Sequence, residues 1–176
     1  MTIEFNIEES NQISGIFIFT PSIHLESRGA IWTSFKEEIF KPYLPKNISF
    51  IHDKFSISKE NVLRGIHGDN KTWKLVSCIH GDILQVVVDF RKESNSYLQH
   101  QKFELSNNNQ IILIPPGFGN AFYVKSLSAI YHYKLAYDGG YADVDEQFTI
   151  AWNDSRLNIK WPSENPIISD RDKEVT

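Results

Sequence analysis

Short apolar runs, each bounded by turn residues, restrict the fold of this sequence more than any other feature. The runs are rich in β-branched and aromatic residues, which favour pleated strands over helices. We predict nine strands, at 16–19, 48–55, 73–78, 83–90, 101–105, 110–114, 121–124, 129–136 and 148–152. Turn-forming residues at 107–109, 115–117 and 138–140 separate several of them. Short strands at a spacing of about 8–12 residues indicate a sandwich or barrel rather than alternating strands and helices.

Helical signals are sparse by comparison. Ser34 followed by Glu37 has the form of a capping box, and Pro42 and Pro45 would end the helix soon after. Aromatic residues make up 13% of the chain, which also favours strands. The length of 176 residues suits one domain with a sizeable core. We therefore predict an all-β fold, an antiparallel jelly roll of the cupin type with a few short helices, in a single domain over 1–176.

Charge and composition exclude several classes of function. The formal net charge is −4 and no basic block is present, so nucleic acid is not expected as a partner. No apolar run approaches the ~18 residues that a membrane span requires. The first nine residues are acidic rather than basic and then apolar, which does not match a signal peptide, and we expect a cytoplasmic protein. The single cysteine, Cys78, forms no internal disulfide and is expected in the core.

The segment from Val62 to Asp69, followed by Lys74, carries the first group of reactive side chains. Side chains alternate between the two faces of a regular strand, so Arg64 and His67 would point in opposite directions. A bulge or bend near Gly65 would bring both into one pocket. His67 and Asp69 could share a face as metal ligands, but no nearby His or Glu completes a three-ligand set, so we expect no metal.

Two further segments stay open when read from residue type alone. Tyr131 and Tyr133 share one face of a predicted strand, and a tyrosine in such a place usually packs with its hydroxyl tethered. The stretch from Pro166 to Asp172 would by position be a solvated surface tail. His67 alone is likewise more often structural than catalytic.

The motifs taken together resemble the dTDP-4-keto-6-deoxyglucose (dTDP-4-dehydrorhamnose) 3,5-epimerase family, the RmlC-like cupins. The resemblance covers about Gly15 to Asp172 and rests on a series of ordered motifs. In this sequence they are Arg28-Gly29, Ser56-Ile57-Ser58, Leu63-Arg64-Gly65-Ile66-His67, Lys74-Leu75-Val76, Val88-Asp89-Phe90-Arg91, Pro115-Pro116-Gly117-Phe118, Tyr133-Lys134, Trp152-Asn153-Asp154, Trp161-Pro162 and Ile168-Ser169-Asp170-Arg171-Asp172.

The resemblance implies a role for each matching residue. His67 corresponds to the general base, Asp172 to its carboxylate partner, and Tyr133 to the acid on the other side of the sugar. Lys74 corresponds to a lysine near the C4 carbonyl. The residues implied to bind the substrate are Arg28, Arg64, Lys54, Ser56 and Asn120. The family also implies no cofactor, and a homodimer that exchanges N-terminal strands, with Arg28 reaching the neighbouring subunit's site.

This chemistry agrees with the kinds of residue present. A C4 ketone acidifies the hydrogens at C3 and C5, because the resulting carbanion delocalises onto the ketone oxygen as an enolate. Inversion removes a proton from one face of the ring and returns one to the other, so two residues are needed. A preplaced cation such as Lys74 can stabilise the enolate oxygen, and guanidinium groups suit a diphosphate.

Several positions depart from the family pattern. The usual His-Tyr-Gln is His67-Gly68-Asp69, and Lys74 follows His67 after seven residues rather than about ten. The segment His52-Asp53-Lys54 replaces Gln-x-Asn, Asn120 replaces a histidine, and Gln85 replaces an aspartate.

The segment His67-Gly68-Asp69, together with the segment Lys134 to Gly139, looks like the branch that acts on GDP-4-keto-heptoses in bacterial capsule synthesis. The resemblance thus implies a nucleotide-diphosphate 4-keto sugar as substrate, inverted at C3 or at both C3 and C5. A GDP-linked sugar is the first expectation, and a dTDP-linked sugar is the alternative. A cupin 3,4-ketoisomerase and a sugar-binding jelly roll without catalysis are the alternatives.

Overall fold

A computed structural model describes residues 3–107 and 110–175 of the chain. Antiparallel strands dominate it, as predicted. Within the described residues the strands are β1 (Phe5–Glu9), β2 (Phe17–Pro21), β3 (Ile23–Glu26), β4 (Gly29–Trp32), β5 (Phe50–Lys59), β6 (Leu63–Gly68), β7 (Trp73–His80), β8 (Asp82–Asp89), β9 (His100–Ser106), β10 (Ile111–Ile114), β11 (Phe118–Val124), β12 (Ser128–Ala136) and β13 (Phe148–Thr149). The helices are α1 (Glu37–Phe40) and α2 (Asp170–Lys173), with 3-10 turns at Lys41–Tyr43 and Val144–Glu146.

Two sheets face each other, and a separate hairpin lies outside them. The first sheet has the order β1-β2-β10-β7-β12-β5, and the second has the order β13-β6-β11-β8-β9. The strand pairs within both sheets are antiparallel, and among the described strands β3 pairs with β4 alone. This arrangement confirms the predicted cupin-like jelly roll.

The strands enclose a core between the sheets, and both outer faces are partly covered. Val76 and Tyr131 of the first sheet pack with Val87 and Phe122 of the second, and Cys78 lies in the same core. The strands β8 and β11 are both buried on their two faces, because a second apolar cluster covers the outside of their sheet. Burial of this kind is the main driving force for folding.

The C-terminal segment supplies much of that outer cover. Trp152, Trp161 and Ile168 pack against the cluster formed by Leu63, Val86 and other residues of the second sheet. Trp161 donates a hydrogen bond from Nε1 to the carbonyl of Trp152 over 2.8 Å. The main chain of Ile167 accepts from Leu63 and donates to Asn61, at 2.9 and 2.7 Å. The segment 166–172 is therefore not the free tail that its position alone suggests: apolar packing and a main-chain bridge hold it on the sheet, and Asp172 is buried, although Ile167 and Asp170 remain exposed.

The predicted strands match the structure well, with shifted ends. β1, β3, β4 and β6 lie outside the nine predicted strands, although the alternation of side chains considered for Val62 to Asp69 already assumes extended backbone at β6. The short helix was predicted correctly in place, but its predicted start at a Ser34 capping box is wrong. Lys36 precedes α1 and makes no side-chain cap. Packing of Phe40 against Phe35 and Phe19 holds this helix instead. In the predicted turn at 107–109, Asn108 and Asn109 lie outside the described residues.

Candidate active site

A cavity of about 420 Å³ opens between the two sheets and gathers most of the predicted site residues. Those that line it are Lys54, Ser56, Arg64, His67, Lys74, Asn120, Tyr133 and Asp172. They come from β5, β7 and β12 of the first sheet, from β6 and β11 of the second, and from α2. The sandwich thus brings together side chains that lie far apart along the chain.

An irregularity in β6 places Arg64 and His67 on the same side. His67 pairs with Asn120 and Arg64 pairs with Phe122, so three steps along β6 match two steps along β11. Gly65 lies inside this bulge with a φ of +124°, a region that L side chains rarely adopt. A Cβ atom there would lie 2.5 Å from the Cβ of Ala121. The predicted bulge near Gly65 is confirmed.

His67 and Asp172 form a hydrogen-bonded pair. Nε2 of His67 lies 2.6 Å from Oδ1 of Asp172, and the Asp172 side chain is only 3% exposed. In neutral His67, a proton on Nε2 that is donated to the carboxylate leaves the lone pair on Nδ1. The pair therefore presents Nδ1 as the basic nitrogen.

The short helix α2 holds Asp172 in place. Ser169 caps the helix, accepting from the Asp172 N–H at 3.3 Å and donating from Oγ to Oδ2 at 2.7 Å. Burial alone would raise the pKa of Asp172, but the hydrogen bonds from His67 and Ser169 and the charges of His67 and Arg171 lower it below its ordinary value. The carboxylate is thus ionised when His67 needs a partner for a positive charge.

Tyr133 approaches from the facing sheet. It belongs to β12 in the first sheet, whereas His67 belongs to β6 in the second. Burial raises the pKa of Tyr133 well above its ordinary value, although the charge of Arg64 acts in the opposite direction. The phenol therefore stays protonated across the physiological range and can donate a proton.

Lys74 is buried beside a carboxylate that the sequence did not assign to the site. Its Nζ lies 3.0 Å from Oδ2 of Asp69, and the two side chains are 10% and 2% exposed. The other oxygen of Asp69 accepts from the main-chain N–H groups of Lys71 and Thr72 at 3.0 and 2.6 Å. Burial lowers the pKa of Lys74, and the Asp69 charge opposes that change. Asp69 therefore helps to keep the lysine cationic inside the cavity.

Part of the cavity lining is rich in cations and polar groups. Arg64 donates from Nε to the Ser58 hydroxyl at 2.9 Å. Lys54 lies with its Nζ 5.6 Å from the centre of the Tyr141 ring. The Ser56 hydroxyl is buried and has no hydrogen-bond partner among the residues that the structure describes. Such a group usually meets a ligand or water, since an unpaired buried hydroxyl costs free energy.

Arg28 is the predicted site residue that does not line the cavity. It lies between β3 and β4, its side chain is 83% exposed, and it pairs with Glu26 at 2.6 Å. Tyr141, Arg171 and Gln147 line the cavity although the sequence did not indicate them. Arg171 occupies the position before Asp172 in the last motif, which was the available signal for it.

The described residues contain neither a cluster of metal ligands nor a membrane-spanning helix. Over 3–107 and 110–175, no group of three or more His, Cys, Asp or Glu side chains is arranged to hold a metal ion. In the same ranges no helix is both long enough and apolar enough to cross a membrane.

Comparison with known proteins agrees with the geometry. Residues 10–176 match the family model described as dTDP-4-dehydrorhamnose 3,5-epimerase. The dTDP-4-dehydrorhamnose 3,5-epimerase of Shigella flexneri is 34% identical over 165 residues, which is 92% of this chain and 90% of that protein. Among solved structures, RmlC, the dTDP-6-deoxy-D-glucose-3,5-epimerase of Legionella pneumophila in complex with dTDP-4-keto-L-rhamnose, is 33% identical. It superposes with a TM-score of 0.88 over 98% of this chain and 92% of the other. The enzyme of Bacillus anthracis with TDP and PPi bound also gives 0.88, at 29% identity over 98% and 99%.

Proposed function

Because the chain belongs to the dTDP-4-dehydrorhamnose 3,5-epimerase family, we propose that its cavity inverts C3, or C3 and C5, of a nucleotide-linked 4-keto sugar. The observation that carries this proposal is the placement of a His–Asp pair and a protonated tyrosine on facing sheets around one cavity. Inversion at carbon needs a base on one face of the ring and an acid on the other. The two walls of the jelly roll supply that pair.

His67 acts as the base in this proposal. Its Nδ1 removes the proton from C3, and the imidazolium that forms is stabilised by the ionised Asp172. The electron pair left on carbon moves onto the C4 carbonyl oxygen and gives an enolate. Lys74, held in its charged form by Asp69, stabilises that oxygen.

Tyr133 completes the inversion. Its phenol gives a proton to the carbon from the face opposite His67, and the enolate collapses to the ketone. The phenolate is then reprotonated from solvent while His67 releases its proton, so the enzyme returns to its starting state. A second round at C5 would use the same two residues, because the C4 ketone is adjacent to both carbons.

Two cations of the cavity lining, Arg64 and Lys54, would hold the diphosphate. The hydroxyl of Ser56, together with Asn120, would contact the sugar. Bidentate guanidinium contacts with phosphate oxygens are strong and directional. They would fix the sugar between His67 and Tyr133, which lowers the entropic part of the barrier.

The sugar that we propose is a GDP-linked 4-keto-heptose of capsular polysaccharide synthesis. The support is the sequence His67-Gly68-Asp69 and the short connection from β6, which ends at Gly68, to β7, which begins at Trp73. Asp69 braces this connection through Thr72 and Lys74. The relatives reported above are named for dTDP-linked sugars, so the test is to measure kcat/KM with a GDP-linked and with a dTDP-linked substrate. A kcat/KM higher with dTDP-4-keto-6-deoxyglucose than with GDP-4-keto-heptose would overturn the GDP proposal.

A homodimer with exchanged N-terminal strands is the assembly that we propose. The hairpin of β3 and β4 pairs with no other described strand and exposes Leu25 and Ile31. The outer face of β5 exposes Phe55 and Ile57. Apolar surface of this kind is typical of an interface. In such a dimer, Arg28 on the hairpin would reach the partner's cavity.

NMR in deuterated water tests the proposed reaction. Incubation with GDP-4-keto-heptose, and separately with dTDP-4-keto-6-deoxyglucose, is expected to place deuterium at C3, or at C3 and C5, with inversion. His67→Asn should stop the exchange, whereas Tyr133→Phe should allow exchange but greatly reduce inversion. Tyr97→Phe, a phenol outside the cavity, is the control and should behave like the wild type.

Two results of that experiment would contradict the proposal. A product whose carbonyl has moved to C3 would identify a 3,4-ketoisomerase. Tight binding of both sugar nucleotides without deuterium incorporation would identify a binding module.

A further inference from the structure

A buried hydrogen-bond relay lies behind the cavity and takes no part in the proton transfers described above. It joins Gln85 of β8, Asn120 of β11 and Tyr131 of β12. Gln85 and Tyr131 are fully buried, and Asn120 is 6% exposed. Only Asn120 of the three lines the cavity. The relay therefore connects the interior of the sandwich to one side chain in the site.

The direction of the relay is fixed at its inner end by a backbone carbonyl. Nε2 of Gln85 lies 3.1 Å from the carbonyl oxygen of Val86, which can only accept. The Gln85 amide must therefore point its nitrogen to that side and its oxygen to the other. Its oxygen accepts from the Tyr131 hydroxyl at 2.6 Å. Burial raises the pKa of Tyr131 well above its ordinary value, so the phenol keeps the proton that it donates.

The second N–H of Gln85 fixes the next amide. It donates to Oδ1 of Asn120 at 2.7 Å, and the Tyr131 hydroxyl lies 3.3 Å from the same oxygen. The oxygen of Asn120 is thus turned toward the relay, and Nδ2 is turned away from it. Within the described part of the chain, no side chain or carbonyl accepts a hydrogen bond from Nδ2. The cavity wall therefore presents an N–H donor at this point.

We propose that Gln85 is a positioning residue that locks Asn120 with its N–H donors toward the sugar, so that the site selects an oxygen acceptor there. This inference rests on the proposed function, in which Asn120 contacts the sugar nucleotide. A hydroxyl, carbonyl or phosphate oxygen satisfies the donor, whereas an ammonium group would leave two donors facing each other. A site built around such a bond discriminates strongly against the wrong group.

The relay also makes the contact independent of pH. Neither amide ionises, and Tyr131 keeps its proton, so the same donor is offered throughout the working range. An ionisable residue at position 85 would couple the direction of Asn120 to its own protonation. The pH dependence of KM therefore distinguishes a non-ionisable residue at position 85 from an ionisable one.

Three variants test the relay, and for each we would measure KM in the otherwise unchanged protein. The Kd would be measured in a His67→Asn background, where binding is observed without turnover. The probes are GDP-4-keto-heptose and dTDP-4-keto-6-deoxyglucose. Gln85→Met keeps the shape of the side chain but removes its hydrogen bonds, and we expect KM to rise about 10-fold with a smaller change in kcat. Asn120→Asp removes the donor itself and should raise KM at least as much.

Gln85→Glu gives a signature that a merely structural role would not produce. The ionised carboxylate cannot donate to Asn120, so the amide should turn its nitrogen toward residue 85 and KM should be high at neutral pH. Protonation of the new carboxylate restores a donor, so the KM of this variant should fall as the pH is lowered. The KM of the wild type should depend less on pH over the same range. Tyr123→Phe, which removes a phenol from the opposite face of β11, is the matched control and should leave KM unchanged.

The outcomes separate this inference from the proposed function. Folded Gln85→Met and Gln85→Glu proteins with the wild-type KM and Kd at every pH would overturn the relay proposal, even if epimerisation is observed. A wild-type protein that binds the probes without exchanging protons would overturn the proposed function, while the Kd values of the same variants would still decide the role of Gln85.

Discussion

The hydrogen bond between His67 and Asp172 joins residues 105 positions apart, and each partner depends on the other. His67 receives a fixed tautomer from the carboxylate, and Asp172 receives a hydrogen bond that helps to hold its pKa low despite its burial. Neither side chain has this chemistry in isolation. The reactivity proposed for the site is therefore a property of pairs, and the same holds for Lys74 with Asp69.

Asp172→Asn tests the first pair. The amide cannot stabilise the imidazolium as a carboxylate does, and we expect kcat to fall by about 10²–10⁴-fold with a smaller change in KM. Deuterium incorporation at C3 measures the proton-transfer step directly. Asp170→Asn is the matched control, since Asp170 lies in the same helix with a side chain that is 94% exposed. Equal losses in the two variants would argue against a specific role for Asp172.

Asp69→Asn tests the second pair through pH. Burial lowers the pKa of Lys74 and the Asp69 charge opposes this, so removing that charge lowers the lysine pKa further. The cationic form is then lost at a lower pH. We expect the alkaline limb of the kcat profile to move down by about 1–3 pH units. An unchanged alkaline limb, in a variant of normal stability, would show that Asp69 does not sustain the charge of Lys74.

At the scale of single elements, β6 and α2 determine where the reactive groups lie. The bulge in β6 turns Arg64 and His67 to one side, and the capping Ser169 sets the orientation of Asp172 in a helix of four residues. Such a short helix is not stable alone. It is held because the preceding segment packs on the outer face of the second sheet.

Gly65→Ala tests the bulge. The φ of +124° and the close approach of Ala121 leave no room for a methyl group, and we expect a loss of about 1–3 kcal/mol in the free energy of unfolding. Denaturant unfolding measures this loss, and kcat should fall as well because His67 follows two residues later. Gly140→Ala, where nothing lies within 4 Å of the added carbon, is the control. A Gly65→Ala protein as stable and active as that control would contradict this account of β6.

For the whole molecule, the jelly roll separates the proposed acid and base onto facing sheets, while one predicted ligand, Arg28, lies outside the cavity. The fold explains why the acid and the base face each other, because the sheets of a sandwich turn one face of each strand inward. The proposed dimer would explain the position of Arg28, because in it the hairpin of β3 and β4 would cross to the partner.

Mixing two defective proteins tests that crossing. Arg28→Ala and His67→Asn should each be nearly inactive as homodimers. When they are refolded together, a mixed dimer would contain one site with both residues intact, and about a quarter of the wild-type activity should return. Light scattering confirms the dimer in each preparation. No recovery from mixed dimers would show that Arg28 does not serve the partner's site.

The strand pattern and the motif residues were largely predictable from the sequence. Strands such as β7, β8 and β12 are continuous apolar or alternating runs whose local preference agrees with the fold. The bulge near Gly65 was also predictable, because Arg64 and His67 could not otherwise face one pocket. The start of α1 was not, since aromatic packing rather than a side-chain cap holds that helix.

By itself, the sequence determined the jelly-roll class, the family and the identity of most residues around the cavity, because strand periodicity and motif order are local properties of the chain. Only the tertiary structure decided that Asp69 pairs with Lys74, that Gln85 donates a hydrogen bond to Asn120, and that apolar side chains of the C-terminal segment pack on the outside of the second sheet. Those contacts join strands that are distant in sequence, or depend on which polar group finds a partner once water is excluded. Their direction is set by burial and by hydrogen-bond satisfaction, which exist only when the sheets have closed on each other.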